Sequence, residues 1–558
     1  MADSELDETV SNGKEDFTTA RKKSDSAIFD VESHGSDSNS PRVKEYNSTP
    51  IKQDNGIVSK LRNLEATLDR KLGVESEAID RKLPEDRSPV SWHSQLVMGL
   101  LWASGTMNVS CFATGFLGHD FGLSLKQSIL IIIFASLLGA SVSGFCATMG
   151  AATGLRQISI GRYSMGWYPN KIIAALNTIQ QLGWSAVGCI TGGLALQAVS
   201  NGSVSIAVGI VIIAVCSLAI SFIGLRAILV YEKYAWLVYF IIFMIIFGQT
   251  GRYADNSTPS DLQGATLSAT VLSLLAIVYG SSASWATIAS DYYVHYPADV
   301  SRTKVFLLTT AGICIPTSIG MLAGAVVASA LGNPRHPDIA EAWTLANERG
   351  LGFLIQEMLY PRGFADFILV LLVLSGINMN ILNTYSAAIS CQQFARPFAR
   401  IPRFLWTLLC FGVIIALALA GRNNLLVYLQ NFLALLGYWC TSYFVIVFSE
   451  HYIFRKGNFR KYDLEGWNDP SVLPKGFSAG LAFGLGVVAW VMGMVRADLH
   501  ANLNSDLELI ATQVQSWYTG PLARLIGGGG DISNQLCFAV TTLCFIPARA
   551  LEYRYIGK

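Results

Sequence analysis

The chain is poor in charged residues, since Asp, Glu, Lys and Arg make up 14% of its 558 positions. A soluble protein carries roughly 25%, whereas 52% of this chain is hydrophobic. The deficit is uneven, because residues 1–90 are polar, rich in Ser, Asp, Glu and Lys, and poor in aromatic residues. Such a segment cannot bury enough apolar surface to fold. We therefore predict a disordered tail at 1–90 and a membrane domain at 91–555.

The sequence also lacks features typical of nucleic-acid-binding proteins, disulfide-bonded proteins and metalloenzymes. The formal net charge of +1 provides no basic surface for nucleic acid, so we expect no nucleic-acid partner. The ten cysteines show neither C-x-x-C nor Cys–His ligand spacing, and nearly all lie in apolar runs, so we expect no disulfides and no metal. Paired ligands at i and i+4, which a membrane metalloenzyme would need, are also missing. The sequence therefore argues against an enzyme.

Apolar runs of about 20 residues, each long enough to cross a bilayer, recur from Gln95 to the C-terminus. They predict an all-α polytopic membrane protein with about twelve spans. The predicted spans are 95–117, 126–150, 170–197, 203–224, 229–249, 265–290, 303–331, 363–390, 402–420, 424–449, 476–496 and 533–550.

Lysine and arginine concentrate in alternate loops, which sets the predicted orientation. The basic loops are 156–171, 226–233, 302–304, 396–403 and 455–461. Cytoplasmic loops carry such an excess of basic residues, so we expect both termini to be cytosolic. An acidic tail follows Met1, and we expect the first span to act as its own insertion signal.

Three spans contain polar stretches at mid-depth, and we expect them to be discontinuous in character. They are residues 103–110 in span 1, 279–282 in span 6 and 375–384 in span 8. Spans 1 and 6 stand five apart, as in transporters built from a five-plus-five inverted repeat whose first helices break at the substrate. Span 8 holds three Asn within six residues, which are too unfavourable in a bilayer to lack a function. Gly, Ser and Thr elsewhere, as in spans 2, 7 and 11, are explained by close helix packing.

Two tryptophans lie inside apolar spans rather than at the membrane interfaces where tryptophan is usual. Trp184 is in span 3 and Trp285 in span 6, and Gly or Ser residues surround each of them. One such residue is explained equally well by packing. Two of them favour flat aromatic walls on either side of a planar heterocycle.

The loop at 153–167 resembles the loop between helices 2 and 3 of fungal purine-cytosine permeases. Further segments with the same resemblance, in the same order, are 431–439, 467–470, and 518–523 followed by 527–531. The chain is thus similar, from about residue 60 to its end, to the nucleobase-cation-symport family 1. This resemblance implies a LeuT-type fold of ten core helices plus two.

The resemblance also implies a site between spans 1, 3, 6 and 8. Trp184 and Trp285 would stack on the base and Asn383 would hydrogen-bond its ring. Span 1 would contribute a hydroxyl and backbone groups between Ser104 and Ser110, a segment that includes Asn108.

The chain departs from the family pattern at three places. Gly188 stands where the cytosine-purine permeases carry an amide, one turn after Trp184, and Leu382 stands where they carry a proline. Loss of a buried amide should strongly disfavour the base that it pairs with. Ile377 and Asn378 replace the adjacent hydroxyls of sodium-coupled relatives, which favours protons as the coupling ion. We expect no other cofactor.

Acidic residues near membrane depth are candidates for gating or coupling. Asp291 resembles the acidic residue that ends helix 6 in the family, and we expect it to hold an inner gate with a basic partner. Asp366 is explained better by the outer interface than by proton relay, and Asp366 or Glu232 remains a candidate for the protonated group.

Together these features predict a proton-coupled symporter that imports a purine- or cytosine-type nucleobase across the plasma membrane. Vitamin B6 (pyridoxine), a substrate of fungal relatives, is the alternative cargo, and a receptor that binds without transporting is the alternative function. The expected partners are the small heterocycle, the lipid bilayer, and kinases or ubiquitin ligases that act on the tails.

Overall fold

The computed structural model describes residues 79–87, 89–221, 225–495, 518–526 and 529–557, together with residues 60, 61 and 67. All regular structure in these ranges is helical. The helices that correspond to the twelve predicted spans are numbered in the same way. They are Trp92–Thr106 with Val109–Asp120 (span 1), Leu125–Thr153 (2), Pro169–Val199 (3), Ile206–Ser221 (4), Leu225–Thr250 (5), Gly264–Ala283 (6), Arg302–Ala330 (7), Arg362–Phe394 (8), Arg403–Gly421 (9), Leu425–Ser449 (10), Phe477–Gly493 (11) and Ser533–Ile556 (12).

These bounds match the predicted spans. Within the described ranges, nine helices are long and apolar enough to cross a membrane, and the two halves of span 1 form a tenth, bent unit. Spans 4 and 11 are shorter apolar helices. Shorter helices occupy the connections, at Gln157–Met165, Pro337–Arg349 and Leu351–Met358.

The predicted break in span 1 is present. Its halves are inclined by 60° to each other, and Met107 and Asn108 lie between them outside helical geometry. Asn108 caps the second half, because its side-chain oxygen accepts from the Cys111 backbone N–H at 3.1 Å. A cap of this kind satisfies one of the free N–H groups that begin a helix. The break is therefore encoded locally.

Span 6 is also interrupted, slightly later than the polar stretch at 279–282. The α-helix ends at Ala283, and two short 3₁₀ turns follow at Ser284–Thr287 and Ala289–Tyr292. Trp285 lies in the first of these turns. Thus the aromatic side chain singled out in the sequence stands at the discontinuity itself.

The prediction that span 8 is discontinuous is wrong, because Arg362–Phe394 is one uninterrupted α-helix. Its asparagines place polar side chains in the bundle without disturbing the backbone. Leu382, unlike a proline, also keeps the backbone N–H that the helix needs. Polar composition alone therefore does not distinguish a broken helix from a continuous one.

Glycines allow spans to approach closely around the core. Gly139 of span 2 faces the Ala283 backbone nitrogen, which would lie 2.9 Å from an added Cβ. Gly312 of span 7 faces the backbone of Gly99 in span 1, and Gly324 faces that of Phe112. The packing explanation therefore accounts for the small residues of spans 2 and 7.

A segment assigned to the tail by sequence packs on the membrane domain. The Lys82 backbone N–H donates to the Gly154 carbonyl oxygen at 3.0 Å, and Arg81 Nε donates to that of Thr153 at 3.0 Å. Arg87 is buried and donates to the carbonyl oxygens of Ala151 and Tyr296. Residues 79–87 therefore belong to the folded unit, and the preceding tail lies outside the described residues apart from residues 60, 61 and 67.

Candidate functional site

The two tryptophans are buried in the bundle, and each ring rests against a second aromatic ring. Trp184 is 6% exposed and meets Phe432 of span 10 edge-on, with ring centroids 5.5 Å apart. Trp285 is 9% exposed and meets Trp102 of span 1 edge-on at 5.7 Å. Edge-to-face contacts fix ring orientation, so both indoles are held as fixed walls.

Gln180 connects the two walls. Its Nε2 donates to the Ser284 carbonyl oxygen at 2.8 Å and to Thr287 Oγ1 at 3.1 Å. Gln180 precedes Trp184 by four residues, about 6 Å along span 3, and Ser284 immediately precedes Trp285. The carboxamide of Gln180 therefore sets the position of the span 6 turn relative to span 3.

Asn177, one turn earlier in span 3, extends this polar network to a third span. Its Oδ1 accepts from Thr287 Oγ1 at 2.6 Å and from Gln181 Nε2 at 3.1 Å, while its Nδ2 donates to Ser390 Oγ of span 8 at 2.7 Å. Asn177 is fully buried. Spans 3, 6 and 8 are thus joined by side-chain hydrogen bonds beside the tryptophans.

Span 8 brings an unpartnered donor to the same region. Asn383 is 1% exposed and its Nδ2 has no hydrogen-bond partner within the described protein. Residues four and seven apart share a helix face, so Asn383 lies on the face of Met379 and Gly376. Met379 contacts Ser110 of span 1, and Gly376 packs on Gly188 of span 3. The free donor therefore belongs to the face that meets spans 1 and 3.

Leu382, which precedes Asn383, places span 8 next to span 6. An added Cβ on Gly105 of span 1 would lie 3.7 Å from both Leu382 Cδ1 and Trp285 Cη2. Spans 1, 6 and 8 thus meet at Gly105. Trp285 and the segment 382–383 thus meet span 1, and span 3, which carries Trp184, contacts the span 6 turn through Gln180 and span 8 through Gly188. Spans 1, 3, 6 and 8 therefore form one junction around the predicted residues.

The predicted residues of span 1 lie at this junction, but local contacts already engage them. Ser104 Oγ donates to the Leu101 carbonyl oxygen at 2.9 Å. Asn108 Nδ2 donates to the Gly105 carbonyl oxygen at 3.2 Å while its Oδ1 caps the next helix. Ser110 Oγ lies 3.8 Å from Met379 Sδ. These contacts stabilise the break in span 1.

Gly188 lies where spans 3 and 8 cross. An added Cβ would stand 3.2 Å from the Gly376 carbonyl oxygen and 3.6 Å from Met379 Cβ. These distances are tight, and the neighbour on one side is backbone. Close packing is therefore a sufficient reason for glycine at this position.

The coupling and gating candidates are distributed over the molecule. Asn378 is buried in span 8, and its Oδ1 has no partner among the described residues. Asp291 Oδ2 lies 3.8 Å from Arg156 Nη1, and its Oδ1 accepts from the Gln157 backbone N–H at 2.7 Å. A basic partner for Asp291 is thus present, in the loop between spans 2 and 3.

Asp366 lies near the start of span 8, one turn after Arg362 and away from the tryptophans. Its side chain is 34% exposed and forms an ion pair with Arg362 at 3.8 Å. Its Oδ1 also accepts from Gln356 Nε2 at 2.5 Å. This is the geometry expected at an interface. The side chain of Glu232, the other predicted candidate, lies outside the described part of the chain.

Asn177, Gln180 and Thr287 were not predicted from the sequence. A signal was present, since Gln180 lies four residues before Trp184 and shares its helix face. The partners of Gln180 depend on where the turn after span 6 falls, which the sequence pattern does not specify.

This junction can bind a flat molecule, offer it a buried donor and change shape at two helix interruptions. The described residues contain no group of three potential metal ligands among His, Cys, Asp and Glu. Buried aromatic rings at broken helices within a multispan bundle are typical of transporters of the LeuT class.

The comparisons with known proteins identify the family. Residues 93–504 match the family model described as permease for cytosine/purines, uracil, thiamine, allantoin. The chain therefore belongs to this permease family and is a multi-pass membrane protein.

Curated relatives are similar over most of their length. The purine-cytosine permease fcyB of Emericella nidulans is 34% identical, covering 87% of this chain and 90% of that protein. The vitamin B6 transporter TPN1 of Saccharomyces cerevisiae is 29% identical, covering 98% of each. The purine-cytosine permease FCY2 of the same yeast is 31% identical over 82% of this chain and 83% of its own.

Solved structures establish the fold. The transporter Mhp1, a nucleobase-cation-symport-1 family member in a closed conformation with bromovinylhydantoin bound, superposes with a TM-score of 0.62 at 14% identity. The match covers 86% of this chain and 96% of Mhp1. A sodium-coupled sialic acid symporter matches with a TM-score of 0.54 at 12% identity, covering 88% and 95% of the two chains. The predicted LeuT-type architecture is confirmed.

Proposed function

We propose that this protein is a proton-coupled symporter that imports a planar nitrogenous heterocycle across the plasma membrane, with both termini in the cytosol. The observation that carries the proposal is the junction of Trp184, Trp285 and Asn383. Two fixed indoles supply stacking surfaces, which bind any flat ring. The unpartnered Nδ2 of Asn383 requires an acceptor, since a buried donor left unpaired costs about 1–3 kcal/mol. A ring nitrogen or carbonyl oxygen satisfies it.

Nucleobases of the cytosine or purine type meet these requirements and agree with the names of fcyB and FCY2. Pyridoxine is the second candidate. It is also a flat aza-ring, and the relative that covers 98% of this chain is a vitamin B6 transporter. Gly188 provides no amide for a base, which favours the second candidate.

Protons are the proposed coupling ion because the hydroxyl pair of sodium-coupled relatives is replaced by Ile377 and Asn378. The Oδ1 of Asn378 is one oxygen, whereas a hard cation requires several. Asp291 and Arg156 are proposed to stabilise the closed cytosolic side, because their contact joins the end of span 6 to the loop after span 2.

The test is uptake of radiolabelled cytosine, adenine, hypoxanthine, uracil and pyridoxine into cells that lack their own transporters. We expect saturable uptake of one of these compounds, unaffected when choline replaces sodium and abolished by a protonophore. Sodium dependence together with indifference to the protonophore would overturn proton coupling. Binding of a compound without uptake would instead indicate a receptor.

A further inference from the structure

A buried carboxylate outside the tryptophan junction has no role in the mechanism so far. Asp531 lies in the connection between spans 11 and 12, two residues before span 12 begins at Ser533, and it is fully buried. The connection enters the bundle there. Gly530 packs against Ala269 of span 6 so closely that a Cβ would stand 2.8 Å from the Ala269 Cα atom, and Gly493 of span 11 packs on Ser533.

Several donors hold the Asp531 carboxylate, among them the Ser533 side chain and the Val495 backbone N–H. The Tyr438 hydroxyl of span 10 donates to Oδ2, and the Ser533 backbone N–H donates to Oδ1 at 3.0 Å. Hydrogen bonds of this kind favour the ionised form, whereas burial favours the neutral form.

The described surroundings contain no counter-charge for Asp531. Spans 6, 10 and 11 have no Asp, Glu, Lys, Arg or His within their bounds. The first charge of span 12 is Arg549, about 24 Å along the helix from Ser533. Arg524 of the same connection is exposed and donates to Thr519. The Cys537 thiol, a further titratable neighbour, donates to the Tyr438 carbonyl oxygen at 3.2 Å.

Because no cation among the described residues compensates its burial, Asp531 binds a proton more readily than an exposed aspartate. Burial raises the pKa of its carboxyl to about 6, so the group is mostly neutral below that pH and mostly ionised above it. Asp366, by contrast, is partly exposed and has a basic partner.

Asp531 is also connected to span 6. Tyr438 adjoins Gly437, which packs on the Gly280 Cα atom of span 6 at 3.3 Å from an added Cβ. Thr441, one turn beyond Gly437, shares a hydrogen bond of 3.0 Å with Tyr279 of span 6. Tyr279 lies five residues before the turn that carries Trp285. Tyr438 therefore lies between Asp531 and the surface on which span 10 packs against the interrupted helix.

We propose that Asp531 is the proton-binding carboxyl of this transporter, with Tyr438 linking its protonation to span 10. The inference rests on the proposed function, namely proton-coupled transport. The carboxylate oxygen takes up a proton from the outer solution and becomes neutral. It returns that proton to the cytosolic solution after the conformational change.

The test uses the full chain and radiolabelled cytosine or pyridoxine, whichever the wild-type protein takes up. For the wild type we expect net uptake to fall at least ten-fold as external pH rises from about 5 to 8. Asp531→Asn, which stays neutral, should retain counterflow of preloaded substrate at a pH-independent rate but lose net accumulation. Asp531→Glu should retain accumulation.

Tyr438→Phe provides a measurement should Asp531→Asn fail to reach the membrane. Removing the donated hydrogen bond destabilises the ionised carboxylate, so the midpoint of the pH profile should move to higher pH. Asp338→Asn, at an exposed carboxylate of the helix Pro337–Arg349, is the matched control and should keep the wild-type profile.

Three outcomes would overturn the inference. One is an unchanged pH profile in both Asp531→Asn and Tyr438→Phe. The second is loss of counterflow together with accumulation in Asp531→Asn, with no midpoint shift in Tyr438→Phe, since that result indicates a structural role only. The third is loss of pH dependence in Asp366→Asn but not in Asp531→Asn. A pH-independent wild type would instead refute the proton coupling of the proposed function.

Discussion

Trp184 and Trp285 carry the proposed recognition of a flat ring, and each can be removed separately. Stacking is worth about 1–3 kcal/mol per base, so Trp184→Ala or Trp285→Ala should weaken apparent affinity roughly ten-fold or more and abolish measurable uptake at normal surface expression. The Phe variants should keep partial activity because a π-face remains. Competition by unlabelled substrate measures the affinity.

Trp343 provides the control for this pair, because it is 3% exposed and packs in a separate apolar cluster with Tyr253 and Phe353. Trp343→Ala should lower thermal stability without changing apparent affinity. Wild-type affinity in both Trp184→Ala and Trp285→Ala would refute the stacking site.

A substitution at Gly188 tests whether this glycine serves close helix packing or substrate specificity. The Gly376 carbonyl oxygen would lie 3.2 Å from an added Cβ, and overpacking typically costs about 1–3 kcal/mol. Gly188→Asn should therefore lower the melting temperature in detergent rather than improve recognition of cytosine. Gly412→Ala, where no atom lies within 4 Å of the Cβ, is the matched control. An active Gly188→Asn variant with normal stability and a changed substrate profile would support the specificity role instead.

At the level of the helix, substitutions of Asn108 test whether its side chain caps the second half of span 1 or binds the substrate. Serine also caps helices well, whereas alanine does not, and loss of a cap costs about 0.5–2 kcal/mol. Asn108→Ser should keep stability and affinity, and Asn108→Ala should lose stability. Thermal unfolding and substrate competition on both variants measure the two effects. Equal loss of affinity in both variants would assign Asn108 to the substrate.

Gln180 holds the turn after span 6 in position through two hydrogen bonds. Gln180→Leu removes the donor shared by the Ser284 carbonyl oxygen and the Thr287 hydroxyl, and the net contribution of a buried hydrogen bond is about 0.5–1.5 kcal/mol. Apparent affinity should fall because Trp285 loses its fixed position. The double mutant with Trp285→Ala should lose less than the sum of the single losses. Strict additivity would show that Gln180 acts independently of Trp285.

The contrast between spans 1, 6 and 8 shows how far the sequence predicts helix continuity. In span 1 an asparagine that can cap and a preceding Gly-Thr pair form a local signal, and the break lies there. In span 8 three asparagines give a similar polar signal, yet the helix continues. Asn380 pairs with Thr384, one turn later in the same helix, and with Cys189 of span 3. The second partner comes from the fold, so a linear pattern cannot reveal it.

Candidate residues were predictable to a similar extent. Residue type and depth in the spans already indicated Trp184, Trp285 and Asn383 as candidates, and all three are buried. Gln180 and Asp531 were not singled out, since their importance depends on a turn in another helix and on burial. Burial of a carboxylate in a connecting segment depends on how that segment packs.

Over the whole molecule, spans 10 and 12 are joined by a buried ionic cluster. Glu450 is fully buried and accepts from Arg549 Nε at 2.9 Å and from Arg455 Nε at 2.9 Å. Glu552 Oε2 accepts from Arg549 Nη1 at 3.0 Å. Two acids and two guanidinium groups thus neutralise each other. The cluster lies at the end of span 10 opposite to Leu425, where a π-helical turn, Glu450–Phe454, follows.

Breaking this cluster should loosen the contact between spans 10 and 12 without touching the substrate junction. Removing one partner of a buried ion pair typically costs about 3–5 kcal/mol, because the remaining charge is uncompensated. Arg549→Met should therefore lower the melting temperature and surface expression sharply, while the molecules that do reach the surface keep wild-type apparent affinity.

The exposed Arg554, on the final turn of span 12, provides the comparison, since surface substitutions usually stay within about 0.5 kcal/mol. Arg554→Met should match the wild type in detergent thermal unfolding. If Arg549→Met were as stable as Arg554→Met, the cluster would not hold spans 10 and 12 together. A wild-type melting temperature with altered affinity would indicate that it acts on the transport cycle. The expected combination, lower stability with intact affinity, would show that the ionic cluster holds spans 10 and 12 together and does not act on the tryptophan junction.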